Sequence, residues 1–286
     1  MKLGIALLLA ILTGATVAPA QNLAPTPCDQ QLVGYAKPLP AKPTWTYTRT
    51  LPAGGSVYYF GAEHSQNASH EQFSRIKKAF AEAKPTVVLF EGPNRGIDST
   101  ETGTITKFGE SGYVRYLARQ QNVRVESLEN PVAEYQHLKT KFDLEQLKLF
   151  YLLREAQRLR TRTQATPGQI TKAIEVLLTK SAQMLPGSDQ VIRTVPELEA
   201  AYQKYWPEGG NWWEAPAAWF DPMATSASTG GKFTNDINRA SSEFRNLYMY
   251  RLIADNARAG QRVFAVVGRN HVPAQAPAID CALSAK

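Results

Sequence analysis

Apolar residues fall into two patterns along the chain. Short, nearly unbroken runs stand at "SVYYF" (56–60), "TVVLFE" (86–91), "VRVESLE" (123–129) and "RVFAVV" (262–267), rich in β-branched and aromatic residues and flanked by turn formers. These predict strands. Between the first two, Ser69 and Gln72 read as an S-x-x-Q capping box, Phe73, Ile76, Ala79, Phe80 and Ala83 recur on one helical face, and Pro85 ends the helix. "GYVRYLARQQ" (112–121) predicts a second helix. Strand–helix–strand–helix–strand thus occupies 56–129, which implies parallel pairing through right-handed crossovers. The near-absence of alternation in "TVVLFE" is expected of a strand covered on both faces.

After Glu129 the period changes. Residues 132–206 read as wholly helical, in segments of about 134–163, 167–185 and 195–205 punctuated by Pro167, Pro186-Gly187 and Pro207. "YWPEGGNWWEAPAAWFDP" (205–222) is Trp- and Pro-rich and irregular, "SASTGG" (226–231) reads as a hinge, and a long helix over about 235–258 stops at Gly260. The fold expected is α/β: a central, mainly parallel sheet flanked by helices, with a helical insertion at about 131–231 acting as a lid. Trp206, Trp212, Trp213 and Trp219 are expected to close over a substrate, Trp212 and Trp213 as contacts to it. The divisions are 1–20, 21–49 as an extended segment, and 50–286 as one domain carrying the insertion.

The N-terminus changes the setting. Lys2, the apolar "GIALLLAILTGATV" (4–17) and "APA" (18–20) form a secretory signal peptide cleaved near Ala20. An exported protein, periplasmic or secreted, is expected, without a stable membrane anchor: no other stretch is long and apolar enough to span, and Cys28 follows Thr-Pro rather than the small residues of a lipoprotein signal. In an oxidising compartment the two cysteines, Cys28 and Cys281, are expected to form one disulfide tying the N-terminal tail to the C-terminal one. The formal net charge of +7 is mild. Arg154, Arg158, Arg160 and Arg162 cluster in "KLFYLLREAQRLRTRTQ" (148–164), but leucines interleave with them at helical spacing. A solvated helix face is the better reading, and no nucleic-acid partner is expected.

The candidate chemistry lies at the strand ends. In a parallel sheet these share one edge, and ligands bind in the crevice outside it. The first strand runs into Gly61-Ala62-Glu63-His64, the second into Glu91, the third into Glu129, and the last into Gly268-Arg269-Asn270-His271. The glycines are expected to permit a sharp exit, or positive φ, so that the chain can turn and aim the next side chain inward. Two imidazoles and two carboxylates suit Zn, Mn, Fe or Co, with His64, His271 and Glu91 as metal ligands and Glu91 or Glu129 as general base. Glu126 competes with Glu129 for the rim. Arg245 and Arg269 are oxyanion candidates, while Glu63, Asn246 and Asn270 are placed to contact substrate. His70 and His137 read as surface and isolated residues respectively.

This order of motifs, strand-GxxH, a strand ending in Glu, "LE", a helix with "RN..M" and then "FAVVG.NHV", resembles the TraB/GumN/TIKI superfamily, which also includes erythromycin-esterase-like and ChaN-like proteins. The similarity covers about 50–138 and 236–273, and "FRNLYMYRLIADNARAGQRVFAVVGRNHV" (244–272) is its most specific part. The resemblance implies a metal-dependent hydrolase fold, some animal members being membrane-tethered metallopeptidases. It implies His64 and His271 as metal or catalytic histidines, Glu91 and Glu129 as acidic partners, and Arg245 and Asn246 as the helix signature. Many relatives carry small residues between Gly and His in the second motif and a glycine after it; here Arg269-Asn270 and Val272-Pro273 stand there. Arg269 would narrow the crevice or add a charge-binding group. The ChaN-like branch is linked to haem and iron, and "GAEHSQNASH" (61–70) is similar to that branch too. The expected activity is hydrolysis of an amide or peptide bond in a small-molecule or peptide substrate. Haem, iron or small-ligand binding without catalysis is the alternative.

Overall fold

The fold is that of residues 24–34, 43–52 and 54–285 of a computed structural model, without the side chains of 182–184. The expected signal peptide over 1–20 and residues 21–23 and 35–42 lie outside the described residues.

Five strands form one sheet in the order β1-β2-β5-β3-β4: β1 (Thr46–Thr50), β2 (Ser56–Ala62), β3 (Val87–Phe90), β4 (Arg124–Ser127) and β5 (Arg262–Gly268). All neighbours are parallel except β1 and β2, which form an antiparallel hairpin. The hairpin strand β1 lies in the stretch expected to be merely extended; "TYTRT" alternates in the way an edge strand does. The last strand of the chain enters the middle of the sheet, between β2 and β3.

Alternation along the buried strands divides the core in two. Val57, Tyr59, Val87, Leu89, Val263, Ala265 and Val267 face α8 (Thr234–Arg258) and α9 (His271–Ser284). Phe60, Val88, Phe90, Phe264 and Val266 face α1 (Glu71–Ala83) and α2 (Glu101–Gln120). Both faces of β3 are therefore covered, as its unbroken apolar run requires.

α2 starts eleven residues earlier than the sequence pattern indicated and kinks at Gly109, with φ 59° and ψ −151°. A Cβ there would stand 3.0 Å from the carbonyl oxygen of Ser65, so the His64 loop can approach only a glycine. α1 is capped by His70, whose Nδ1 accepts from the backbone N–H of Gln72, rather than by Ser69.

The insertion contains α3 (Pro131–Lys139), α4 (Leu144–Arg162), α5 (Pro167–Met184), α6 (Val195–Tyr205) and the single turn α7 (Ser226–Thr229), the last within the stretch expected to be a hinge. The helix expected over 134–163 is broken where Asp143 caps α4 through the N–H groups of Glu145 and Gln146. Leu149, Leu153, Ile174, Leu198, Trp212 and Trp219 belong to an apolar cluster of the insertion itself. Ile237 and Ala240, on the first turns of α8, join Tyr135, Leu147 and Phe150. α8 thus packs on the sheet with one end and on the insertion with the other.

Cys28 and Cys281 form a disulfide across 253 residues of chain. The same N-terminal segment is held by Asp29, whose carboxylate accepts from Arg251 Nη2 at 2.6 Å and from the Tyr250 hydroxyl. Among the described residues no helix is long and apolar enough to cross a membrane.

Candidate functional site

The register of the central strands brings the two Gly-x-x-His turns side by side. Ala62 of β2 pairs with Gly268 of β5, and the N–H of Arg269 donates to Ala62 O at 2.9 Å. The N–H of Glu91 donates to Val266 O at 3.1 Å, which extends β3 along β5. His64, Glu91 and His271 therefore leave the same rim of the sheet.

Gly61 and Gly268 serve close approach, since neither adopts positive φ, whereas Gly92, directly after Glu91, does so with φ 92°. A Cβ on Gly268 would lie 3.1 Å from His64 Nε2 and 3.4 Å from Glu91 Oε2. That point marks where an imidazole and a carboxylate converge over bare backbone.

Each imidazole is oriented through Nδ1. His64 Nδ1 lies 2.7 Å from Glu110 Oε1, and as the partner is a carboxylate the nitrogen carries the proton. Glu110 is buried, and its contact raises the pKa of His64 against the opposing pull of burial. His271 Nδ1 lies 2.7 Å from Asn246 Oδ1. The assignment there follows from a buried chain: the Tyr59 hydroxyl donates to Gln275 Oε1 at 2.9 Å, Gln275 Nε2 donates to Asn246 Oδ1 at 2.8 Å, and that oxygen accepts again from His271. Both imidazoles are left with the Nε2 lone pair directed at the rim. His271 Nε2 stands 3.5 Å from Glu91 Oε1.

Glu91 is the hub. Its Oε1 accepts from Arg245 Nη2 at 2.7 Å, and its Oε2 accepts from the N–H of Gly268 at 2.7 Å. Burial would raise its pKa, but the His271 contact, the Arg245 charge and the Gly268 N–H hold it far below the usual carboxylate range. Arg245 Nη2 also donates to Glu129 Oε1 at 2.5 Å. Burial opposes the charge on Arg245, yet Glu129, Glu91 and Glu134 together raise its pKa. Its Nε is buried and has no hydrogen-bond partner among the described residues. Glu126 instead pairs with Arg124 at 3.3 Å, whereas Glu129, beyond the end of β4, meets Arg245.

A cavity of about 620 Å³ opens over this rim, lined by His64, Gly268, His271, Asn246, Arg269 and Asn270 among others. Glu63 and Arg269 pair at its mouth at 2.8 Å, and the Arg269 guanidinium lies over the Trp45 ring. Glu129 and Arg245 line a separate cavity of about 450 Å³ against the insertion.

Two expectations need correction. Trp212 and Trp213 line neither cavity: Trp212 is buried in the insertion's own cluster with Trp206 and Trp219, and Trp213 packs against it. The basic run of α4 is not simply a solvated face. Arg160 donates to the carbonyls of Trp213 and Ala215, and Arg154 lines the second cavity. His137 packs on Phe244 and lines neither cavity.

Glu110 and Gln275 carry no signal in the sequence pattern, and Gln72 reads there only as a capping residue. Gln72 is buried and bonds the Glu63 backbone in both directions, at 2.9 and 2.7 Å, so it fixes the turn that carries His64. Among the described residues no three His, Cys, Asp or Glu side chains stand as a preformed metal cluster.

No protein-family model matches the chain, and neither a curated protein nor a solved structure matches it.

Proposed function

We propose that the chain is an exported metal-dependent hydrolase of amide or peptide bonds, related to the TraB/GumN/TIKI superfamily, working at the rim that holds His64, Glu91 and His271. One observation supports this above the others: both imidazoles are fixed through Nδ1 by buried partners and offer Nε2 to one crevice. Ligand histidines are commonly held in this way.

The donor set fits a divalent transition metal. With the proton on Nδ1, His271 Nε2 faces Glu91 Oε1 at 3.5 Å, and that gap is suited either to a second proton on the imidazole, which holds the Glu91 pKa down, or to a cation in its place. His64, His271 and Glu91 would hold the metal; two nitrogens and a carboxylate suit Zn, Mn, Co or Fe. When bound, such a metal polarises a carbonyl and lowers the pKa of water.

The chain's own residues then have separable tasks. Glu110 and Asn246 hold the imidazole tautomers. Arg245, clamped between Glu91 and Glu129, fixes the orientation of Glu91 and keeps it ionised. Glu129 faces the second cavity, so its part is to position Arg245 rather than to take a proton in the first. Arg269 is the cation among the described residues that lines the histidine cavity, and it is the group placed to meet developing negative charge. The insertion reaches the same cavity through Pro222 and Met223, which supports its reading as a cover.

The test is hydrolysis of a mixed peptide library by the purified mature chain, before and after chelation and after readdition of Zn²⁺ or Mn²⁺. Cleavage lost on chelation, restored by metal and absent in His271→Ala supports the reading. Cleavage indifferent to chelator, or a Soret band without a bound divalent metal, overturns it.

A further inference from the structure

The second cavity has a role that hydrolysis at the rim does not use. It lies between α4, α5 and the Arg245–Glu129 pair. Its cations differ in how far they are committed. Arg245 is held by Glu91 and Glu129, and Arg158 forks onto Glu155 at 2.7 and 2.6 Å. Lys148, fully buried, donates to Ser181 Oγ and to the carbonyls of Ser188 and Val191. Arg95 also lines the cavity but is exposed to water. Arg154 is different. It is partly buried, its guanidinium lies 5.8 Å over the Phe150 ring, and it forms neither a hydrogen bond nor an ion pair with a described residue. The neighbouring Tyr151 hydroxyl likewise has no hydrogen-bond partner among the described residues, and Leu152, Leu177 and Leu185 complete the wall. Glu134 and Glu129 act on Arg154 from a distance, but no carboxylate among the described residues is within hydrogen-bond reach; a guanidinium partly withdrawn from water in that way keeps donors to offer, and their fork is shaped for a carboxylate.

We infer that this cavity binds the carboxylate end of a small ligand with an apolar chain, Arg154 and Tyr151 taking the carboxylate and the three leucines the chain. A dianion such as phosphate is disfavoured, because Glu129, Glu134 and Glu155 line the same walls. Neither metal nor turnover enters this inference, so it stands or falls apart from the hydrolase reading.

Calorimetric titration of the mature chain with hexanoate, hexanamide and inorganic phosphate tests it. Hexanoate is expected to bind at least tenfold more tightly than hexanamide and more tightly than phosphate, to weaken at least tenfold in Arg154→Gln, and to fall between the two in Arg154→Lys. Equal binding of hexanoate and hexanamide, no binding of hexanoate at millimolar concentration, or unchanged binding in Arg154→Gln would overturn the site; tighter binding of phosphate would overturn the ligand class. If Arg154→Gln does not fold, the methyl resonances of Leu152, Leu177 and Leu185 in the wild type decide. Shifts there with hexanoate support the site, and shifts confined to other residues overturn it.

Discussion

Asn246 Oδ1 lies 2.7 Å from His271 Nδ1, and that contact decides which imidazole nitrogen keeps its lone pair for the crevice. Asn246 is itself buried and held by Gln275, so the orientation is imposed from the core. Replacing Asn246 with Ala frees the tautomer without touching any proposed ligand. Zn²⁺ affinity is expected to fall about 10- to 100-fold, the range seen for outer-shell partners of ligand histidines. Equilibrium dialysis with the folded variant measures it, and Asn246→Asp, which keeps an acceptor at the same place, should restore most of the affinity.

Arg245 joins two carboxylates that would otherwise face each other from β3 and β4. Arg245→Met removes the charge but keeps the stem. Glu91 and Glu129 are then left without a counterion in a partly buried place, which is expected to cost about 3 kcal/mol in urea unfolding. Adding Glu129→Gln to Arg245→Met should recover part of that loss, because one of the unpaired charges is gone. A double variant less stable than Arg245→Met would show that the two carboxylates do not repel across the gap.

The two sides of the pH profile belong to different pairs. His64 has a folded pKa above its unfolded value of about 6.5. Its contact with Glu110 therefore stabilises the fold fully below about pH 6.5 and is lost as the pH rises through the folded value. Glu91 runs the other way: its folded pKa lies below the ordinary value of about 4.5, so its contribution is present above that pH and is lost as the medium turns more acid. Glu110→Gln should lower the His64 titration measured by NMR and remove the alkaline side of the profile while leaving the acid side unchanged. The His64 side chain is 72% exposed, so the titration is the sensitive readout and not the unfolding midpoint.

Much of the frame was legible because the strands are buried. Runs such as "TVVLFE" and "RVFAVV" have no other stable use, and the residues that follow them had to emerge at one edge. The rim residues His64, Glu91, Glu129 and His271 were visible for that reason. Glu110 was not, because "FGESGY" (108–113) carries two glycines that look like a loop, whereas Gly109 is the kink that lets a helix pass the His64 turn. The tryptophans misled because aromatic residues in an irregular stretch suggest a binding surface. Trp206 and Trp219 instead stack on each other at 4.4 Å inside the insertion. Arg154 could not be told from Arg158 and Arg160 by sequence, since which of the three finds a carboxylate or a carbonyl depends on residues brought near by folding.

The Cys28–Cys281 bridge closes a loop of 253 residues, and Asp29 beside it pairs with Arg251. Reduction, or Cys28→Ser with Cys281→Ser, is expected to lower stability by about 2–5 kcal/mol in urea unfolding, mainly through the freedom regained by the unfolded chain. Metal binding at the rim should survive, since neither cysteine lines the histidine cavity.

The most direct test is the Zn and Mn content of the purified mature chain, measured by elemental analysis beside His64→Ala and His271→Ala after identical metal loading. One equivalent in the wild type and a loss of at least tenfold in both folded variants is the result expected. Equal metal content in all three proteins would contradict a site built from these imidazoles.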